Sequence, residues 1–260
     1  MKALLLSDIH GNWPALQAVL RAEADANHIV CLGDLVNYGP QPAECVAWAM
    51  RLSTPSLVVQ GNEDRAFGVG KTPRCSLAYE HLAEAVQAAT SPLLSAEMRR
   101  FLAKLPGSER FSLGEATCVA CHSTASNKEP IRALPGTPSP AWPWETDLIV
   151  VGHPDRLFIL IEHPNLLFVA HTHTPFQTEW MNTVVVNPGS VGKPLDGDPR
   201  AAYAVWEDAA VSLRRVEYDV EQTVRAYAAL TLEEGLRHQL IEELRTGVRS
   251  AAQAPEVLTV

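Results

Sequence analysis

Five short apolar runs in this chain stop in the same way, at a side chain that offers an oxygen or nitrogen lone pair. Ala3–Leu6 leads to Asp8 and His10. His28–Leu32 leads to Gly33-Asp34, and Ser56–Val59 to Gln60-Gly61-Asn62. Ala116–Cys121 leads to His122, and Leu166–Ala170 to His171-Thr172-His173. Continuous apolar runs of this length mark strands buried on both faces. Parallel strands end on one edge of a sheet, where α/β proteins place their ligands. The pattern therefore calls for an α/β fold in which Asp8, His10, Asp34, Asn62, His122, His171 and His173 converge.

The chemistry follows from the donor types. In an extended segment, residues two apart project to the same side, so His171 and His173 reach one small volume. Neutral imidazole is a common ligand for transition metals. One tetrahedral zinc needs four ligands. Seven donors fit two metals bridged by a carboxylate, at the ~3.5–4 Å spacing of two-metal hydrolases. Asp34 is the natural bridge, because a right-handed crossover places the second strand beside the first.

The segments between these runs read mostly as helices. Asn12 is a candidate N-cap and Pro14 follows early, with Leu16, Val19 and Leu20 as the apolar stripe. Pro42 opens a second helix to about Leu52, with Cys45, Trp48 and Ala49 inward. Further helical patterns lie near Ser76–Ala89, Ser95–Leu105, Val220–Leu230 and Leu232–Arg245, and Asp155–Glu162 reads as a short helix. The stretch after Asp64 reads as irregular. Arg110–Leu113 pairs with Ala116–Cys121 through Gly114. Gln177–Trp180 with Thr183–Val186, and Ala201–Trp206 with Ala210–Val216, read as hairpins. The chain is expected to form a single domain over 1–260, with a Pro/Trp-rich irregular segment near 123–144 and a helical C-terminal extension near 219–246. Such a long irregular segment is usually functional, here as a roof over the site or a partner surface.

Composition narrows the function. A 47% hydrophobic content supports a substantial core, and 20% charged residues exclude a disordered chain. A net charge of −9 argues against nucleic acid and anionic membrane surfaces as partners, while leaving room for a small phosphate ligand. No apolar run approaches the ~20 residues of a membrane span. Five cysteines without a secretory signal suggest a cytoplasmic protein with reduced thiols. Cys118-Val119-Ala120-Cys121-His122 matches the c-type haem attachment pattern. In a strand, however, positions three apart face opposite sides, so these read as two buried cysteines followed by a functional histidine.

In order and spacing, Asp8-x-His10, Gly33-Asp34, Gly61-Asn62, His122 and His171-x-His173 resemble the calcineurin-like metallophosphoesterases. The resemblance runs from Lys2 to about Lys193, takes in Gly11-Asn12 and Asn187-Pro188-Gly189-Ser190, and is nearest to the small bacterial and archaeal phosphodiesterase branch. It implies a four-layer α/β/β/α sandwich. It implies one metal at Asp8, His10 and His173, a second at Asn62, His122 and His171, and Asp34 shared. It also implies a hydroxide bridging two divalent cations, a nucleophile at neutral pH because metals acidify bound water. The mixed imidazole, carboxylate and amide set suits two divalent transition metal ions, manganese, iron, zinc, nickel or cobalt, with manganese favoured.

Two departures stand out. Many relatives have a histidine after the asparagine, as general acid; here the position is Glu63. A carboxyl group beside two cations has its pKa lowered, which leaves a poor acid and a preference for aryl phosphates or nucleotide anhydrides. His10 and His81 are the next candidates for an acid. The second departure is Ala170 in place of the glycine usual before His-x-His, which requires a negative φ there.

Other residues carry two readings each. Asn37 and Tyr38 either touch phosphate or shape a turn. Lys193 either binds an anion in a glycine-rich backbone nest or is a solvated lysine beside a structural turn. His153 mimics the motif outside a full ligand set. His28, His81, His163 and His238 read as surface or helix residues. Trp142 and Trp144 fit packing or a nucleobase platform. Asp34, Asn62 and Glu63 are the catalytic candidates, and Asn37 and Lys193 the substrate-binding ones. The expected activity is that of a phosphodiesterase acting on a small phosphoester or nucleotide, possible homo-oligomerisation included. Alternatives are a phosphomonoesterase, a dinucleoside polyphosphate hydrolase suggested by Gly33–Pro40, or a binding scaffold, which the full set of seven ligands disfavours.

Overall fold

A computed structural model of the chain describes residues 1–53, 55–72, 77–122, 149–150, 159–160, 164–180 and 182–250. Two five-stranded mixed sheets form the centre. In the first, β1 (Lys2–Leu6), β2 (His28–Cys31) and β3 (Leu57–Val58) run parallel, and the hairpin β11 (Ala201–Glu207) and β12 (Ala210–Val216) joins antiparallel to β1. In the second, β5 (Ala116–Cys121), β8 (Leu166–Phe168) and β10 (Thr183–Asn187) run parallel, with β4 (Ser108–Leu113) and β9 (Phe176–Trp180) as antiparallel edges. The five donor-bearing strands therefore end on two sheets rather than one.

Strand alternation explains the continuous apolar runs. In β1, Ala3 and Leu5 face the second sheet, meeting Cys118, Leu166 and Phe168 in one core. Leu4 and Leu6 face the other way, onto α1 (Trp13–Ala22), α2 (Pro42–Ala49) and Leu102 of α5 (Ala96–Lys104). Both layers are lined by buried apolar side chains, so a polar residue on either face of the strand would lack a partner. The Asn12 side chain caps α1 by accepting from Ala15 N–H at 3.3 Å, as expected.

Cys118 lies in the core between the sheets, and Cys121 on the opposite face with Val119, Leu167 and Val169. The two thiols cannot serve one haem. Ser123–Trp144, His153, His163 and the tail beyond 250 lie outside the described residues.

Two readings are corrected. Asn62–Val69 is a helix, α3, rather than irregular. Within the segment read as a helix over Asp155–Glu162, Ile159–Leu160 is a strand, β7, paired with β6 (Ile149–Val150). α4 (Leu77–Thr90), α6 (Val220–Ala226) and α7 (Glu234–Thr246) build a separate apolar cluster around Tyr38, Tyr79 and Tyr227. Among the described residues, no helix is long and apolar enough to cross a membrane.

Candidate metal centre

The loops after β1 and β2 are knitted together by backbone bonds: Asp8 N–H to Gly33 O at 3.0 Å, His10 N–H to Asp34 O at 2.9 Å and Gly11 N–H to Leu35 O at 2.9 Å. From the second sheet, Ala170 N–H reaches His122 O at 2.8 Å. The Asn187–Lys193 loop closes the assembly, with Ser190 Oγ donating to Asp8 O at 2.7 Å. These turns are strained. Asp8, His10, Asp34, Asn37, Tyr38, His171 and His173 all have φ between 46° and 72°, a region unfavourable for residues with a Cβ. Ala170 is not among the residues with positive φ, which satisfies the condition for its place before His171.

These loops bring two groups together. The donor atoms of Asp8, His10 and His173 all lie within 4.8 Å of one another, and so do those of Asp34, His122 and His171. Each carboxylate has one oxygen pinned and the other turned inward. Asp8 Oδ2 accepts from Ser7 Oγ at 2.5 Å and from His171 N–H at 3.2 Å. Its Oδ1 stands 3.4 Å from His173 Nε2, 3.7 Å from His10 Nε2 and 3.9 Å from His122 Nε2. Asp34 Oδ1 accepts from Glu63 N–H at 2.9 Å. Its Oδ2 lies 3.2 Å from His122 Nε2 and 3.9 Å from His10 Nε2, between the groups.

Three imidazoles have their outer nitrogen committed. Nδ1 of His10 faces Val36 O at 3.0 Å, that of His122 faces Leu32 O at 2.7 Å, and that of His173 faces Lys193 O at 2.5 Å. A carbonyl can only accept, so Nδ1 carries a proton, and whenever the ring is neutral Nε2 is its lone pair, the arrangement of metal-binding histidines. His10 Nε2 and His173 Nε2 then oppose each other at 3.1 Å. Two lone pairs at that distance repel unless a cation or a proton lies between them. His171 differs, since it presents Nδ1 to His122 Nε2 at 3.3 Å.

The electrostatics are those of a cation site. Burial lowers His173 to about 3, and burial with the His122 charge lowers His171 to about 4, so both are neutral at pH 7. Burial opposes charge on His122, but Asp34 and Asp8 outweigh it and raise the ring to about 10. Burial also disfavours ionised Asp8 and Asp34, yet the surrounding imidazoles hold both carboxyls below their usual range. Among the described residues, four buried side-chain polar atoms lack a hydrogen-bond partner, and two of them are Asp8 Oδ1 and Asn62 Oδ1. Orphaned acceptors of this kind are costly unless something else satisfies them. The donor set thus fits divalent metal ions of borderline softness.

The substrate-binding candidates have other partners. Asn37 is fully buried, donates to Glu63 Oε2 at 2.7 Å and Ala83 O at 3.3 Å, and accepts from Tyr38 N–H at 2.9 Å. Lys193 is neither solvated nor turned to an anion nest. Its Nζ meets Glu243 Oε2 at 2.6 Å and lies 4.8 and 4.6 Å from the ring centroids of Tyr38 and Tyr79. His81 is exposed on α4. Glu63 is buried; burial and the Asp34 charge push its carboxyl well above the usual range while the Asn37 amide pulls it down. The expected depression there rests on two neighbouring cations.

Sequence reasoning missed Asp64. Its carboxylate accepts from Asp34 N–H and Leu35 N–H at 2.8 Å each and from Gly61 N–H at 3.0 Å, shaping the Asp34 turn. Gly61 packs so closely there that a Cβ would sit 2.0 Å from Asp34 Oδ1. The signal available was an acidic residue in the first turn of a helix, hidden because that helix was not recognised.

Residues 1–209 match the calcineurin-like phosphoesterase superfamily domain. The chain is 33% identical over 257 residues to an uncharacterized protein of Methanocaldococcus jannaschii, across 91% of this chain and 96% of that one. The crystal structure of a metallophosphoesterase from Sphaerobacter thermophilus is similar with a TM-score of 0.67 at 28% identity, covering 95% of this chain and 99% of that one. Phosphodiesterase YfcE of Escherichia coli is 35% identical over 74 residues, 25% of this chain and 40% of that protein. The family match spans every donor of the centre, from Asp8 to His173, and the chain belongs to the calcineurin-like phosphoesterase superfamily.

Proposed function

We propose that this chain is a dinuclear-metal-dependent phosphodiesterase acting on small phosphoesters or nucleotides. The observation that carries the reading is Asp8 Oδ1, buried and unpartnered among the imidazoles of His10, His122 and His173, with Asp34, His122 and His171 forming a second group of donors beside it. Asp8, His10 and His173 would hold one ion, Asn62, His122 and His171 the other, and Asp34 Oδ2 would be shared. Two divalent cations, when bound, supply a water acidified to near neutrality and neutralise the phosphate oxygens.

The chain's own residues supply the rest. Val36, Leu32 and Lys193 carbonyls fix the tautomers of His10, His122 and His173. Ser7 and the backbone N–H groups of His171 and Glu63 hold the two carboxylates in place before substrate arrives. Preorganisation of this kind is what makes electrostatic stabilisation of a phosphoryl transition state effective. The similarity to YfcE, named a phosphodiesterase, favours diesters over monoesters.

The test strips the protein with a chelator, restores manganese, and measures hydrolysis of bis-p-nitrophenyl phosphate beside p-nitrophenyl phosphate. Metal-dependent diester cleavage that is lost in Asp34→Asn supports the reading. Preference for the monoester replaces it with a phosphatase, and a chain that takes up no metal overturns it.

A further inference from the structure

Glu63 touches Asp34 of the second group through its N–H and the neighbouring Asn62 through its side chain, yet it belongs to neither group. It stands at the start of α3, next to Asn62, and is 1% exposed. Both of its oxygens are used. Oε2 accepts from Asn37 Nδ2 at 2.7 Å, and Oε1 accepts from Asn62 Nδ2 at 3.0 Å.

The second contact has a directional consequence. A side-chain amide has a donor end and an acceptor end. Each carboxyl oxygen of Glu63 meets an amide NH2, so it is the NH2 end of Asn62, and not its oxygen, that faces Glu63. With the NH2 on Glu63, Oδ1 is turned away from it, and that oxygen is buried without a partner. Asn37 steadies Glu63 in turn, and its own oxygen is taken by Tyr38 N–H. A relay of Tyr38, Asn37 and Glu63 thus ends on one amide, in one of its two orientations.

We propose that Glu63 is a positioning residue: its carboxylate locks the Asn62 amide with Oδ1 free to ligate, and so sets the affinity of the ion shared with His122 and His171. This assignment rests on the two-ion reading above. It gives Glu63 a role other than proton donor, and it explains why Asn37 is buried instead of facing substrate. Neither role was visible from residue types alone, because it depends on which end of each amide meets the carboxylate.

Cobalt(II) uptake by the full chain tests it, read as ions per chain by elemental analysis and as the visible absorption of each site during titration. The wild type takes up two ions. In Glu63→Ala the ion at Asn62 weakens by about 10–100-fold, the usual cost of losing a group that orients a ligand. The ion at Asp8, His10 and His173 keeps its affinity, which shows that the fold is intact. Asn62→Ala combined with Glu63→Ala binds no more weakly than Asn62→Ala alone, because the carboxylate acts through the amide. Two ions bound at wild-type affinity by Glu63→Ala, or additive losses in the double variant, overturn the proposal and leave the two-ion reading standing. A wild type that takes up fewer than two ions overturns that reading and the proposal with it. Should Glu63→Ala fail to fold, Glu63→Met decides. It keeps the length of the side chain but offers the Asn62 NH2 no oxygen, so an unchanged second affinity overturns the proposal and a weakened one supports it.

Discussion

Lys193 Nζ lies 2.6 Å from Glu243 Oε2, and both side chains are almost fully enclosed, although the two residues are 50 positions apart. The pair joins α7, which lies beyond the family match at residue 209, to the loop whose carbonyl receives His173 Nδ1. Tyr79 OH donates to Glu243 Oε1 at 2.7 Å and completes the enclosure. Removing one member strands a buried charge, a loss of about 3–5 kcal/mol. Glu243→Ala is therefore expected to lower unfolding free energy by about that amount in a urea titration. Replacing both with apolar residues, as in Lys193→Met with Glu243→Leu, is expected to recover most of it. A double variant that loses the sum of the two single-variant losses would show that the pair is not coupled.

The same carboxylate has a pH signature. Burial raises Glu243, but the Lys193 ammonium and hydrogen bonds from Lys193, Gln239 and Tyr79 outweigh it and leave the carboxyl below its ordinary 4.5. A depressed folded-state pKa means that the native state binds its proton less readily than the unfolded chain. The stabilisation is fully present above about 4.5, the ordinary value, and is lost as pH falls through the folded value. Asp8 and Asp34 lose stabilisation in the same direction, so the difference between wild type and Glu243→Gln isolates the contribution. That difference is expected to be constant from pH 7 to 5 and to shrink below about 4.5. A difference that grows on acidification would reverse the sign assigned here.

Asp64 is expected to matter as much as a ligand without touching a metal. Its carboxylate holds three backbone N–H groups in the Asp34 turn. Asp64→Ala strands all three, at roughly 1–3 kcal/mol for each unmet buried donor, so a loss of at least about 2 kcal/mol is expected in thermal or urea unfolding. Misplacing Asp34 by about 1 Å costs on the order of 100-fold in rate. Steady-state kinetics should show this in kcat, with KM little changed. A stable Asp64→Ala protein with wild-type kcat would remove Asp64 from the supporting structure.

The parts of this molecule written in local order were legible. The donors at strand ends could be read because each interrupts an apolar run with a residue type that has no place in a core. The N-cap at Asn12 and the inward face of α2 follow from spacing alone. The division into two sheets was not legible from the runs, since pairing such as Ala3 with His28, or Val119 with Leu167, is set by contacts between distant segments. α3 was missed because Asn62-Glu63-Asp64-Arg65 has no apolar period; Asp64 anchors its first turn instead. The strand Ile159–Leu160 was read as part of a helix because a short apolar run carries no distinguishing period. Lys193 was misread because a lysine beside glycines is usually solvated, and only the return of α7 encloses it.

Leaving-group dependence gives the last prediction. Both oxygens of Glu63 accept from amide N–H groups, so neither is turned out to deliver a proton. Among the alternatives, His10 has Nδ1 on Val36 O and Nε2 in the donor cluster, and His81 is exposed on α4. A leaving oxygen must then depart largely as an anion, which aryl and anhydride groups do readily and alkyl groups do not. The rate across a series of aryl and alkyl diesters is expected to fall steeply as leaving-group pKa rises. Glu63→Ala is expected to lower every member by a similar factor, because it acts through the Asn62 ion and not through the departing oxygen. A proton donor would behave differently: its removal would slow alkyl diesters far more than nitrophenyl ones. Similar wild-type rates for alkyl and aryl diesters would require an acid at the site and direct the search to His10 and His81.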